Sequence, residues 1–156
     1  MTIAIDTNIL FDILLPDPKF KVSSLNLLKD YSKSNKLIIS EIVYSELASQ
    51  FNEQSLLDSF LLDVNIFIKN TGKQGLWIAS KVWNDYNKNR NTKLQCSNCG
   101  HFQSYYCNKC NELIKSRLHI IPDFIIGGHA IENGNKLISR DRGFYRKYFV
   151  ELEIIN

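Results

Sequence analysis

Five apolar runs of three to five residues punctuate this chain, and most close on polar or turn-forming residues: Thr2-Ile3-Ala4-Ile5, Lys36-Leu37-Ile38-Ile39, Val64-Asn65-Ile66-Phe67-Ile68, Lys136-Leu137-Ile138 and Leu152-Glu153-Ile154-Ile155. They are too short for helices and read as strands over 2–6, 36–40, 64–68, 136–139 and 152–155, the last at an edge. Between them the apolar spacing is helical. Asp6-Thr7-Asn8 offers a polar cap for a helix over 9–15, which Pro16 and Pro18 break. Val22, Leu25, Leu28 and Tyr31 mark a second helix over 21–33. Ser40 caps a third, with Val43, Leu47 and Phe51 as its apolar face. Residues 55–62 and 73–89 follow as helices, the longer with Ile78, Val82, Trp83 and Tyr86 as its buried stripe. Pro122 opens a helix that runs to Asn133, where Gly134 suits the C′ position. Phe144, Tyr145, Tyr148 and Phe149 belong to a short final helix.

Strands alternating with helices predict a three-layer α/β/α sandwich around a mainly parallel sheet. At 156 residues a single domain over 1–156 is expected. A composition 44% hydrophobic and 22% charged excludes a disordered chain. No apolar run reaches the length of a membrane span. The N-terminus enters a strand directly, with no basic leader, so a cytoplasmic protein is expected.

The net charge of +3 is too small to point to a polyanionic partner alone. Its distribution says more. Residues 81–119 hold Lys81, Lys88, Arg90, Lys93, Lys109, Lys115 and Arg117 against Asp85 and Glu112. Trp83, Tyr86, Phe102, Tyr105 and Tyr106 are interleaved with them. A solvated face and a nucleic-acid surface both fit this pattern.

The chemistry lies at the run ends. Asp6, Glu46, Asp123 and Asp141 each fall just beyond a separate apolar run. A parallel α/β sheet gathers its strand ends at one edge, where such folds place their ligands. Alone, each acid has a plain explanation: helix dipole for Asp123, a turn for Asp141. Together they make a hard-oxygen cluster suited to Mg²⁺ or Mn²⁺, and hence to phosphodiester cleavage. Asn8 stands two residues after Asp6, placed to orient it; Glu41 rivals Glu46 but sits where the helix dipole accounts for it.

These pieces resemble the PIN-domain nucleases of the VapC toxin type. The match rests on Ile5-Asp6-Thr7-Asn8, Ser45-Glu46-Leu47, Pro122-Asp123-Phe124-Ile125-Ile126-Gly127-Gly128-His129-Ala130 and Ile138-Ser139-Arg140-Asp141-Arg142-Gly143-Phe144. The resemblance implies Mg²⁺- or Mn²⁺-dependent hydrolysis of RNA, often by a homodimer whose activity an antitoxin protein blocks. By position it makes Asp6, Glu46, Asp123 and Asp141 the metal ligands, with Ser139 hydrogen-bonded within the site and Asn8 supporting Asp6. Two other readings stand beside it: an RNA-processing nuclease resembling the ribosome-maturation PIN endonucleases, and a catalytically silent binding module. A phosphatase of the haloacid dehalogenase type would need a second aspartate where Asn8 stands.

The four cysteines form two C-x-x-C pairs, Cys96/Cys99 and Cys107/Cys110. Paired motifs of this kind suit tetrahedral Zn²⁺, with iron as the chemical rival. A knuckle turns backbone N–H groups toward sulfur and favours a residue tolerant of positive φ after each pair. Gly100 and Asn111 stand there. Residues 94–113 are therefore expected to be an inserted zinc-binding hairpin, near the active-site edge and absent from simple PIN toxins. Four thiolates around one Zn²⁺ would lower the net charge from +3 to about +1.

Overall fold

The computed structural model describes residues 1–15, 18–89, 93–95, 99, 101–114, 121–141 and 143–156. The elements in chain order are β1 (Thr2–Ile5), α1 (Thr7–Leu14), α2 (Lys21–Ser32), β2 (Lys36–Ile39), α3 (Glu41–Ala48), α4 (Gln54–Asp63), β3 (Ile66–Ile68), α5 (Lys73–Asn89), β4 (Leu94–Gln95), β5 (Phe102–Gln103), α6 (Ile121–Glu132), β6 (Lys136–Ile138), α7 (Phe144–Tyr148) and β7 (Glu153–Ile155). Five strands form one sheet in the order β3-β2-β1-β6-β7. All four pairings are parallel. β4 and β5 pair antiparallel in a separate two-stranded sheet.

The strands read as continuous apolar runs because helices cover the sheet. Ile3, Ala4, Ile5, Leu37, Ile38, Ile39, Leu137 and Ile138 are all buried. β7 lies at the edge, as the sequence pattern indicates. Val64 and Asn65 fall outside β3; Asn65 takes a left-handed turn (φ 54°) that ends the approach from α4. Among the described residues, no helix is long and apolar enough to cross a membrane.

Strand order runs outward from β1 through β2 to β3, then jumps to the other side of β1 for β6 and β7. The reversal falls between β1 and β6. That gap is the topological switch point, where open α/β sheets leave a crevice at the strands' carboxyl ends. Asp6 N–H extends the ladder onto Ile138 O at 3.0 Å, and Ser139 N–H onto Ile155 O at 3.0 Å. Asp6 and Ser139 are thereby placed side by side at this crevice.

α6 carries Asp123 in its first turn and packs closely on α5. The closeness has a sequence cause. A Cβ on Gly128 would stand 2.2 Å from Gly75 O, and one on Gly127 would stand 2.5 Å from the Phe149 ring. Only glycine lets these backbones approach so far. His129, buried on the same helix, donates from Nε2 to Lys69 O at 2.7 Å. Glu132 accepts from Gly72 N–H at 2.7 Å. Glu41 accepts from the backbone N–H and the hydroxyl of Thr71. The three side chains strap the segment between β3 and α5 against the sheet. Glu41 therefore holds a loop, beyond complementing the dipole of α3.

The buried stripe of α5 differs from the periodic reading. Gly75 and Ala79 are its buried residues, while Ile78, Val82, Trp83 and Tyr86 pack half-buried against the core. Leu76 and Trp77 are exposed, with Lys81 Nζ 4.1 Å from the Trp77 ring centroid. The two glycines draw α6 onto a different face of the helix than the larger side chains alone would select. Phe51 lies beyond α3, which stops at Ala48, yet it still packs against Phe60.

Candidate active site

Asp6, Glu46, Asp123 and Asp141 line one open pocket of about 770 Å³, together with Thr7, Asn8, Phe11, Ser49, Gln50, Phe144 and Tyr145. The four acids come from β1's end, α3, α6 and the segment after β6. Sequence separation is large, and the sheet's switch point supplies the proximity.

Each acid is held by neighbours. Asp6 is 5% exposed and occupies the N-cap of α1, but its carboxylate makes no capping hydrogen bond. It turns instead to Ser139 Oγ, which donates to Oδ2 at 2.6 Å, and to Asn8 Nδ2, which donates to the same oxygen at 2.5 Å. The expected cap is thus diverted into the pocket. Asn8 also donates to Ser139 Oγ at 3.2 Å and accepts from Arg140 N–H through Oδ1 at 3.1 Å. Ser139 Oγ in turn accepts from Asp141 N–H at 3.0 Å. Asp141 Oδ2 accepts from the backbone N–H groups of Gly143 at 2.8 Å and Tyr145 at 3.3 Å. Thr7 Oγ1 donates to Glu46 Oε2 across the pocket.

The electrostatics follow from this crowding. Burial raises the Asp6 carboxyl from 3.8 to about 6; the Ser139 hydrogen bond opposes the rise, and the charges of Asp123 and Glu46 add to it. Asp123 is likewise raised to about 6 by burial, then by Glu46 and Asp141. Two acids pushed upward in one cleft mark a place where negative charge is held against its own repulsion. Among the described residues, no three His, Cys, Asp or Glu side chains are gathered closely enough to enclose an ion. The donor set still suits a hard cation: carboxylate oxygens on an open pocket, with hydroxyl and amide oxygens beside them. A divalent cation there would relieve the repulsion that keeps the carboxylates apart.

Three contributors are not evident from motif spacing. Thr7 locks Glu46. Arg140 reaches away from the pocket to Asp12, forming a bidentate pair in which Nε donates to Oδ2 at 2.7 Å. Asp12 is 3% exposed and also accepts from Ser24 Oγ at 2.6 Å. The guanidinium stacks 4.0 Å from the Phe20 ring centroid. This anchor fixes the backbone between Ser139 and Asp141. Its one sequence signal is a lone acid inside the apolar run Ile9-Leu10-Phe11-Asp12-Ile13-Leu14-Leu15. Tyr145 forms part of the pocket wall, where the periodic reading makes it only a core residue.

Of the cysteines, Cys99, Cys107 and Cys110 are described and carry free thiols, while Cys96 and Gly100 lie outside the described residues. Backbone N–H groups of Cys110 and Lys109 directed at the Cys107 sulfur hold its thiol below the ordinary value. Asn111 adopts φ 56°. Asn111 N–H donates to Cys107 O and Cys107 N–H to Glu112 O, each at 2.8 Å, and Tyr106 bridges Leu113. Among the described residues, none of 93–114 lines the carboxylate pocket. In the basic segment, Trp83 and Tyr86 are drawn into the core packing, leaving Phe102, Tyr105 and Tyr106 as its exposed aromatics. Arg90, Lys115 and Arg117 lie outside the described residues.

Comparison with solved structures gives two full-length likenesses. VapBC2 from Rickettsia felis, bound to a DNA fragment from its promoter, superposes with a TM-score of 0.64 at 22% identity, covering 100% of this chain and 98% of that one. VapBC-1 from nontypeable Haemophilus influenzae gives 0.62 at 18% identity, with the same coverage. Both show a shared fold. No curated protein matches the sequence. Residues 3–150 match the PIN domain family over nearly the whole chain, and the protein belongs to that family.

Proposed function

We propose that this protein is a Mg²⁺- or Mn²⁺-dependent endoribonuclease acting as the toxin of a toxin–antitoxin pair. The observation that carries the reading is the convergence of Asp6, Glu46, Asp123 and Asp141 on one open pocket at the sheet's switch point. Membership of the PIN family supports a nuclease. The likeness to two toxin–antitoxin complexes favours a toxin with an antitoxin partner over an RNA-processing enzyme. The presence of all four acids counts against a silent binding module.

In this reading the carboxylates hold the cation, which when bound neutralises the scissile phosphate and lowers the pKa of the attacking water. Asp6 and Asp123 are the principal ligands, with Glu46 and Asp141 completing the set. Ser139 and Asn8 fix the Asp6 rotamer, so that one oxygen is committed to the scaffold and the other faces the pocket. Thr7 does the same for Glu46. The exposed aromatics Phe102, Tyr105 and Tyr106, beside Lys93 and Lys109, offer stacking and charge to a single-stranded substrate.

The same proposal includes Zn²⁺ at Cys96, Cys99, Cys107 and Cys110. Its support is the turn at Cys107–Cys110, whose backbone N–H groups face the Cys107 sulfur and whose Asn111 takes positive φ. Thiolate stabilisation of this kind is what a zinc knuckle requires.

The test is RNA cleavage by purified protein with Mg²⁺ or Mn²⁺. Cleavage is expected to vanish in Asp6→Asn and Asp123→Asn while both remain folded. Equal cleavage in excess EDTA would remove the metal mechanism. Elemental analysis should return one zinc per chain, and a zinc-free protein with the same fold would remove the zinc assignment.

A further inference from the structure

Tyr145 carries a polar atom that the fold leaves unused. The residue is 2% exposed, and its hydroxyl is fully buried without a hydrogen-bond partner among the described residues. A buried, unpaired hydroxyl costs about 1–3 kcal/mol, and a phenylalanine would fill nearly the same volume without it. The ring itself is well packed, at 5.2 Å from Phe144 and 6.1 Å from Phe149 by centroids. Its backbone N–H holds Asp141. The side chain forms part of the carboxylate pocket's wall.

The surrounding acids do not satisfy it. Asp6 Oδ2 is taken by Ser139 and Asn8, Asp141 Oδ2 by two backbone amides, and Glu46 Oε2 by Thr7. Burial raises the phenol well above its ordinary value, and Asp6, Asp123, Asp141 and Glu46 all add to the rise. The phenol therefore remains protonated, a single O–H donor beside four acceptor-only groups.

We infer that the Tyr145 hydroxyl is a binding group of the carboxylate pocket, donating its hydrogen bond to a water of the hydrated divalent cation held there. This rests on the metal reading above. A small divalent cation such as Mg²⁺ keeps several of its waters when carboxylates bind it, and those waters need acceptors and donors around them. Fixed outer partners of this kind tune metal affinity as well as orientation. The proton stays on the phenol throughout; no bond to the cation forms.

Mn²⁺ titration calorimetry on the full chain, in buffer free of other divalent cations, reads this directly. Wild type, Asp6→Asn, Tyr145→Phe and Tyr148→Phe are compared, with thermal unfolding of each before and after Mn²⁺. Tyr145→Phe is expected to bind Mn²⁺ about three- to tenfold more weakly, the worth of one ordinary hydrogen bond. Without Mn²⁺ it should unfold at or above the wild-type temperature, because it no longer buries an unpaired hydroxyl. Tyr148→Phe should match wild type in both. Wild-type Mn²⁺ affinity in Tyr145→Phe would overturn the inference whatever happens to cleavage. So would a lower unfolding temperature without Mn²⁺, which would give the hydroxyl a purely structural partner. If wild type and Asp6→Asn take up Mn²⁺ equally weakly, the metal reading itself fails and this assignment falls with it. That result is distinct from a wild type that binds and a Tyr145→Phe that binds as well.

Discussion

Replacing Asp6 by asparagine should make the metal-free protein more stable at neutral pH. Its carboxyl is raised from 3.8 to about 6 by burial. At about 1.4 kcal/mol per pH unit, the charged form costs the fold about 3 kcal/mol. Asparagine removes that charge but weakens the Ser139 and Asn8 hydrogen bonds, a loss of about 1 kcal/mol. The net gain is about 2 kcal/mol, or about 4–8 °C in a domain of this size. The pH dependence has a definite sign. The folded chain holds this proton more tightly than the unfolded chain, so wild-type stability falls as pH rises from about 4 through about 6 and then levels off. The advantage of Asp6→Asn should therefore be near zero at pH 4, grow through that window and stay constant above it. Urea unfolding of both proteins, in buffer free of Mg²⁺ and Mn²⁺ at a series of pH values, measures the difference at each point. Other titrating groups cancel in that difference. Adding Mn²⁺ should reverse the order, because only the wild type gains binding energy. A variant no more stable than wild type at pH 7.5, or an advantage that shrinks as pH rises, would refute the account of Asp6 as a desolvated ligand.

Arg140→Ala should lose about 3 kcal/mol in urea unfolding, since it strands Asp12 as a buried charge with only Ser24 for company. Lysine at 140 should restore little, lacking the planar fork that spans both Asp12 oxygens. Gly128→Ala should cost about 2 kcal/mol or more by the same assay, because the new methyl meets Gly75 O in the neighbouring helix backbone. Cys107→Ser should drop the zinc content of purified protein from one per chain to near none, with the far-ultraviolet circular dichroism of the five-stranded fold retained.

The strands and helices were readable because each strand is a short apolar run and each helix keeps its own period. No single position needed a distant partner to be understood. The pocket was readable only as a list of acids. What joins them runs between residues far apart in sequence: Thr7 to Glu46 over 39 positions, Ser139 to Asp6 over 133, and Arg140 to Asp12 over 128. Those bonds exist because strand order reverses between β1 and β6, and local periodicity does not encode strand order. Asp6 shows the limit well. Local rules make it a helix cap, and its backbone obeys them, with φ −80° and ψ 151° at the N-cap. Only the arrival of Ser139 on the adjacent strand turns the carboxylate elsewhere. Trp83 and Tyr86 illustrate the converse. Their spacing with basic residues suggested a ligand surface, while the close approach of α5 and α6 at Gly75 and Gly128 turned them toward the core.

Three separate losses of stability coincide at one place. Asp6 forgoes its capping hydrogen bond, worth about 1 kcal/mol in a typical helix. Its desolvated charge costs about 3 kcal/mol, and the unpaired Tyr145 hydroxyl adds about 1–3 kcal/mol. Their sum is a large share of the 5–15 kcal/mol, roughly, that a domain has in hand. Elsewhere the described chain is careful with its polar groups: His129, Glu132, Glu41 and Asp12 are buried or half-buried, and each has a specific partner. A fold that satisfies polar groups throughout and fails to do so around one pocket has its deficit where a ligand would remove it. A cation bound by the four carboxylates would answer two of the three losses at once, neutralising Asp6 and bringing water to Tyr145. The scaffold's own anchors, Thr7 on Glu46 and Arg140 on Asp12, hold the pocket's walls in place against the repulsion meanwhile.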